Sequence, residues 1–129
     1  MLRYTLLIAT CLFATALLGQ DDAQYKTWMK SLGPNVGAVR TAIMAKDTAA
    51  AASAADKLAA TFTDVAEYWQ KKNVADAVTL AQNARDDAKE IAAAKSSDDQ
   101  SASLMKLQQQ CGACHKAHRD GAAPNFTIK

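Results

Sequence analysis

The sequence predicts an all-α fold, an antiparallel up-down-up-down four-helix bundle. Two observations lead there. Apolar residues recur at steps of three and four almost continuously from residue 22 to residue 118, and short segments of turn-forming residues break that pattern into runs of about twenty. Short connections between long amphipathic helices make sequential neighbours antiparallel. No strand pattern stands out, and 129 residues suit one domain.

The first helix is expected from about Asp22 to Ala45, with Tyr25, Met29, Leu32, Val36, Val39 and Ile43 on one stripe. Gly33-Pro34 falls within it. A proline removes one backbone donor and crowds the preceding turn, so a kink or local distortion is expected at Ser31–Pro34. Asp47 or Thr48 can cap the second helix, which runs to about Trp69 with Ala51, Ala55, Leu58, Phe62, Val65 and Trp69 inward. After the connection Lys71-Lys72-Asn73, a third helix spans about Val74 to Ala94 and buries Val74, Ala77, Val78, Ala81, Ala84, Ala88 and Ile91. Ser96-Ser97-Asp98-Asp99 supplies a turn and an N-cap for the fourth helix. That helix carries Leu104, Leu107, Cys111, Cys114, His115 and His118 before Gly121 and Pro124 stop it.

The N-terminus reads as a secretory signal over residues 1–19. Arg3 precedes an uncharged apolar run from Leu6 to Leu18, followed by polar Gln20-Asp21-Asp22. The run is short for a bilayer span, so no stable membrane insertion is expected after cleavage. The mature domain would be residues 20–129, placed in the periplasm. Charge is nearly balanced, with 15 Lys and Arg against 13 Asp and Glu. No basic run suggests a nucleic-acid surface.

The chemistry-bearing stretch is Cys111-Gly112-Ala113-Cys114-His115. Cys-x-x-Cys-His is the spacing of c-type haem attachment, in which two cysteines reach the vinyl groups on one porphyrin edge and the histidine reaches the iron. A structural zinc site would want a second ligand pair, and the remaining cysteine, Cys11, lies in the signal segment. A redox dithiol would usually occur in a βαβ context. One covalently attached haem c per chain is therefore expected, and export agrees with it. With the signal removed, both remaining cysteines belong to this motif.

On these residues the chain resembles the class II cytochromes c, the cytochrome c-prime family, itself a standard example of the four-helix bundle. Cys111-Gly-Ala-Cys114-His115-Lys-Ala-His118-Arg119 is similar to the family's Cys-x-x-Cys-His-x-x-aromatic-Arg ending. Met29-Lys30-Ser31-Leu32-Gly33-Pro34-Asn35 is similar to its first-helix segment beside the haem. The resemblance implies thioethers from Cys111 and Cys114, His115 as proximal iron ligand, and Met29 as distal ligand in the low-spin branch. On its own, a methionine on an inward stripe is ordinarily core packing. Arg119 would pair with a propionate or remain solvated, Trp69 would touch the haem, and His118 would face solvent or support His115. Tyr25, Trp28, Leu32, Phe62, Val65 and Val78 are further candidates for the pocket wall.

The chain departs from the pattern at the short Ala45–Thr48 connection, where many members have a longer loop, and at His118, where Tyr or Phe is common. Many members form homodimers through the first two helices. The implied function is one-electron transfer between redox partner proteins rather than enzymatic catalysis; the alternative is a five-coordinate haem protein that binds NO or CO. No distal histidine or carboxylate is recognisably placed for peroxidase chemistry.

Overall fold

The computed structural model describes residues 12–129, with side chains from residue 21. Four helices dominate: α1 (Leu12–Met44), α2 (Thr48–Lys71), α3 (Ala75–Ala93) and α4 (Ser97–His118). Residues 45–47, 72–74 and 94–96 connect them. The helices pack in sequence order, α1 on α2, α2 on α3 and α3 on α4, while α1 and α4 meet much less closely.

Local chemistry sets the boundaries. Asp47 caps α2 by accepting from the Ala50 N–H at 2.9 Å. Ser96 caps α4 by accepting from the Asp99 N–H at 3.1 Å, and its hydroxyl donates to Asp99 Oδ2 at 2.8 Å. Each cap satisfies a donor that the first helical turn leaves free. Lys46 and Asn73 take positive φ values of 55° and 58°, reversing the chain within a few residues.

One expectation for α1 is revised, its start. The helix is already present at Leu12 and crosses the anticipated cleavage point without a break. The Leu- and Ala-rich segment favours helix, and nothing between Gly19 and Asp22 stops it. The signal reading rests in part on Arg3 and on residues 6–11 of the apolar run, which lie outside the described residues. Pro34 lies within this one helix, as the single run from Asp22 to Ala45 required.

The stripes follow the periodicity closely. All six inward positions assigned to α2 are buried, as are Ala77, Ala81, Ala84, Ala88 and Ile91 of α3. On α1, Tyr25, Leu32 and Val39 are buried, whereas Met29, Val36 and Ile43 are half-buried at the edge of the core. Gln100 is a buried exception. Its amide donates to Thr48 O at 3.0 Å and Ile91 O at 3.2 Å, tying the start of α4 to α2 and α3.

The expectation of no strand is also corrected. After α4, β1 (Arg119–Asp120) pairs antiparallel with β2 (Thr127–Ile128). Gly121 permits the reversal at φ 85°; a Cβ there would lie 2.6 Å from Asn125 O. Two-residue strands leave no readable alternation, so this hairpin is set by the turn and by Ile128 packing on the core.

The N-terminal end of the described α1 side chains is fastened to the end of α2. The Tyr68 hydroxyl donates to Asp22 Oδ1 at 2.7 Å, and Lys72 Nζ lies 3.0 Å from the same oxygen. The Tyr68 hydrogen bond first, and Lys72 second, hold the Asp22 carboxyl below the usual carboxylate range. A carboxyl lowered in the folded state adds stability above its unfolded pKa, and that stability is lost as pH falls through the folded value. Asp22→Asn should therefore cost about 1 kcal/mol near neutral pH, a figure kept small because the pair is partly exposed. The difference should vanish in acid below the ordinary aspartate range. Denaturant titrations across pH check this; a pH-independent difference would refute the ionic role.

Candidate functional site

The loose α1–α4 seam contains the site. An apolar cavity of about 380 Å³ is lined by Met29, Leu32, Gly33 and Val36 of α1, Phe62 and Val65 of α2, Leu80, Ala81 and Ala84 of α3, and Cys111, Cys114 and His115 of α4. A second, of about 580 Å³, lies between α1 and the C-terminal hairpin and is lined by residues including Tyr25, Lys26, Lys30, His118, Arg119, Phe126 and Ile128. Met29, Cys114 and His115 line both cavities. Each volume falls in the range of small-molecule and cofactor sites.

Helical spacing accounts for the donor set on α4. Residues 111, 114 and 115 are separated by three and four positions, which places them on one face. Both cysteines are free thiols and half-buried. Burial, followed by the neighbouring Cys114, pushes the Cys111 thiol up to about 11, and burial likewise raises Cys114. Thiols held neutral differ from the lowered-pKa cysteines of redox dithiols. Burial, aided by the charge of Arg119, lowers His115 from its ordinary value. Its imidazole is therefore neutral at pH 7, the form that donates to a metal.

Among the described residues, no three His, Cys, Asp or Glu side chains converge to hold a bare metal ion. The motif instead lines an apolar space that Met29 of α1 also lines. At Gly33, one turn beyond Met29, an added Cβ would meet nothing within 4 Å, so the missing side chain leaves room in that wall. Paired neutral thiols, a neutral imidazole, a thioether on the same cavity and its apolar walls fit a porphyrin held at its edge by Cys111 and Cys114.

The other expected residues separate. Leu32, Phe62 and Val65 line the smaller cavity and Tyr25 the larger, but Trp28 and Val78 line neither. Arg119 lines the larger cavity with its guanidinium carbon 3.9 Å from the Phe126 ring centre. Trp69 lies behind the wall, lining neither cavity, with ring centres 5.5 Å from Tyr25 and 5.1 Å from His118. His118 Nε2 lies 2.7 Å from Asp76 Oδ2, joining the end of α4 to the start of α3.

Leu80, Gln108, Gln110 and the tail residues Phe126 and Ile128 were not anticipated. Leu80 lies four positions before Ala84, a spacing that could have revealed it. Phe126 and Ile128 offered only apolar character in a short tail. Comparisons with protein-family models, curated proteins and solved structures give no match to this chain.

Proposed function

We propose that this protein is an exported, periplasmic c-type haem protein of the class II cytochrome kind, acting as a one-electron carrier between redox partner proteins. The observation that carries this reading is that Cys111, Cys114 and His115 of α4 line one apolar cavity together with Met29 of α1. A bound haem supplies an iron that exchanges one electron between two oxidation states.

The chain's own residues supply the rest. Cys111 and Cys114 anchor the group covalently, His115 offers a neutral nitrogen to the iron, and Met29 offers a thioether from α1. Thioether donation favours the ferrous state and raises the reduction potential. Leu32, Val36, Phe62 and Val65 exclude water, limiting solvent rearrangement when charge changes. Lys26, Lys30 and Arg119 place positive charge along the larger cavity, where propionates or an acidic partner can be met.

Among the described residues, no helix is long and apolar enough to cross a membrane.

Expression with a c-type haem attachment system tests the assignment. The expected product gains the mass of one haem, resists acid–acetone extraction, and gives sharp low-spin α and β bands when reduced. A chain of unmodified mass would overturn it. The open wall at Gly33 favours a second reading, a five-coordinate protein that binds NO or CO. A broad high-spin spectrum in the unmodified protein, shifting on addition of CO, would select that reading.

A further inference from the structure

The net charge of the chain is only +2, yet its sign changes from one side of the bundle to the other. Asp21 and Asp22 lie early in α1, but from Ala23 to Met44 it carries Lys26, Lys30 and Arg40 and no Asp or Glu. Asp98 and Asp99 open α4, but from Gln100 to Arg119 the chain carries Lys106, Lys116 and Arg119 and again no Asp or Glu. The other helices lean the opposite way, with three acidic residues against two basic on α2 and four against two on α3. Helices adjacent in the chain pack together and α1 meets α4, so the basic pair forms one side of the bundle and the acidic pair the other.

The basic side is also the side of the site. Lys26, Lys30 and Arg119 are exposed and line the larger cavity with Met29, Cys114 and His115; Lys116, next to His115, is exposed as well. Among the described residues, none of these four cations is paired with a carboxylate. Nearby carboxylates are engaged elsewhere: Asp22 lies 3.0 Å from Lys72, Asp76 2.7 Å from His118 and Asp120 3.5 Å from Lys129. Lys106, farther from the cavity along α4, is instead tied to Glu90 of α3 at 3.0 Å. Phe126 belongs to the same rim, 38% exposed, with the Arg119 guanidinium carbon 3.9 Å from its ring centre. An aromatic beside an oriented arginine is typical of an interface centre, and unpaired lysines suit the polar rim around it.

We propose that the α1–α4 face around Lys26, Lys30, Lys116, Arg119 and Phe126 is the docking surface for a redox partner protein that presents a cluster of Asp and Glu side chains. This deepens the carrier reading and rests on it. The two propionates of a haem offset only half of the four cations, so the face stays positive when the site is loaded. The small net charge does not prevent steering, because an approaching partner feels the near side of the molecule first. The acidic α2–α3 side repels the same partner and turns the cavity toward it. Four cations fall short of the roughly six to ten phosphate contacts of a typical nucleic-acid site. A bilayer surface calls for more exposed apolar side chains than Phe126, the large apolar residue exposed at this rim.

The test uses protein whose haem content is established by mass. Oxidation of the ferrous protein is followed by stopped flow with two one-electron oxidants of opposite charge, ferricyanide and tris(phenanthroline)cobalt(III). Raising the salt concentration should slow the first reaction and speed the second. At an ionic strength of about 0.1 M, screening reaches about 10 Å, so each oxidant reads the charge beside the site and not the net charge. Lys30→Gln combined with Lys116→Gln should then slow ferricyanide roughly fivefold. Lys89→Gln combined with Lys95→Gln removes the same net charge from exposed positions on and just after α3, and should change neither rate. Binding to poly-L-glutamate, which needs no electron transfer, should likewise be lost in the first pair and kept in the second. All four substitutions are at exposed lysines, so the fold is not at stake.

Equal responses of the two variant pairs overturn the docking face while leaving the carrier reading intact. So does tighter binding to duplex DNA or to phosphatidylglycerol vesicles than to poly-L-glutamate, or self-association at low salt that the first pair abolishes. A chain without haem overturns the carrier reading and this docking role together.

Discussion

Met29→Ala is expected to convert a low-spin, six-coordinate site into a high-spin site open to exogenous ligands. Met29 lines both cavities together with His115, and Gly33 one turn later leaves open space where a side chain would stand. Truncation removes the thioether without disturbing a large buried area, because Met29 is half-buried at the core edge. The sharp reduced bands should broaden, CO should bind where it did not before, and the reduction potential should fall. A drop on the order of 100 mV lies well within the roughly 0.8 V over which axial ligands tune haem iron. Absorption spectra, CO titration and potentiometry measure the three effects. If spectrum and potential are unchanged, Met29 is packing material and not a ligand.

A chain prevented from carrying haem should be markedly less stable. Cys111→Ala combined with Cys114→Ala removes both attachment points, and the haem-free wild-type chain provides a second comparison. The reason lies in the uneven core. The α3 stripe is mostly alanine, and α1 meets α4 far less than it meets α2.

At about 24 cal/mol per Å³, a closed void of about 380 Å³ would cost roughly 9 kcal/mol. That is comparable with the whole stability of a typical domain. The cavity opens to solvent, so the empty chain instead leaves apolar walls wet and α1 poorly held. A loss of about 3 kcal/mol, or roughly 10–20 °C in melting temperature, is expected. Equal melting of loaded and empty chains would show that the helices suffice by themselves.

The sequence was most legible where local rules and burial coincide. The α2 stripe could be read because its inward residues recur at helical spacing and α2 packs closely on both α1 and α3. The caps at Asp47 and Ser96 depend on side chains within three residues of the groups they satisfy. The Cys111–His115 motif was legible because one helix presents all three side chains.

Trp69 shows where that legibility ended. Its position on the inward stripe identified a buried aromatic, but periodicity could not distinguish a cavity wall from the layer behind it. The C-terminal hairpin was hidden because its pairing joins residues on either side of a turn and its strands are too short for a pattern.

By itself, the sequence determined four helices, their inward faces and a Cys-x-x-Cys-His segment near the end of the fourth. These are properties of spacing along one chain segment, governed by the helical repeat and by burial of apolar side chains. Tertiary structure decided that α1 meets α4 only loosely, that Met29 lines the same cavities as Cys114 and His115, and that the tail lines the second cavity. It also brought Tyr68 to Asp22, residues far apart in the chain. Those relations depend on how helices of unequal side-chain volume pack, and no single stretch of residues encodes the distance between them.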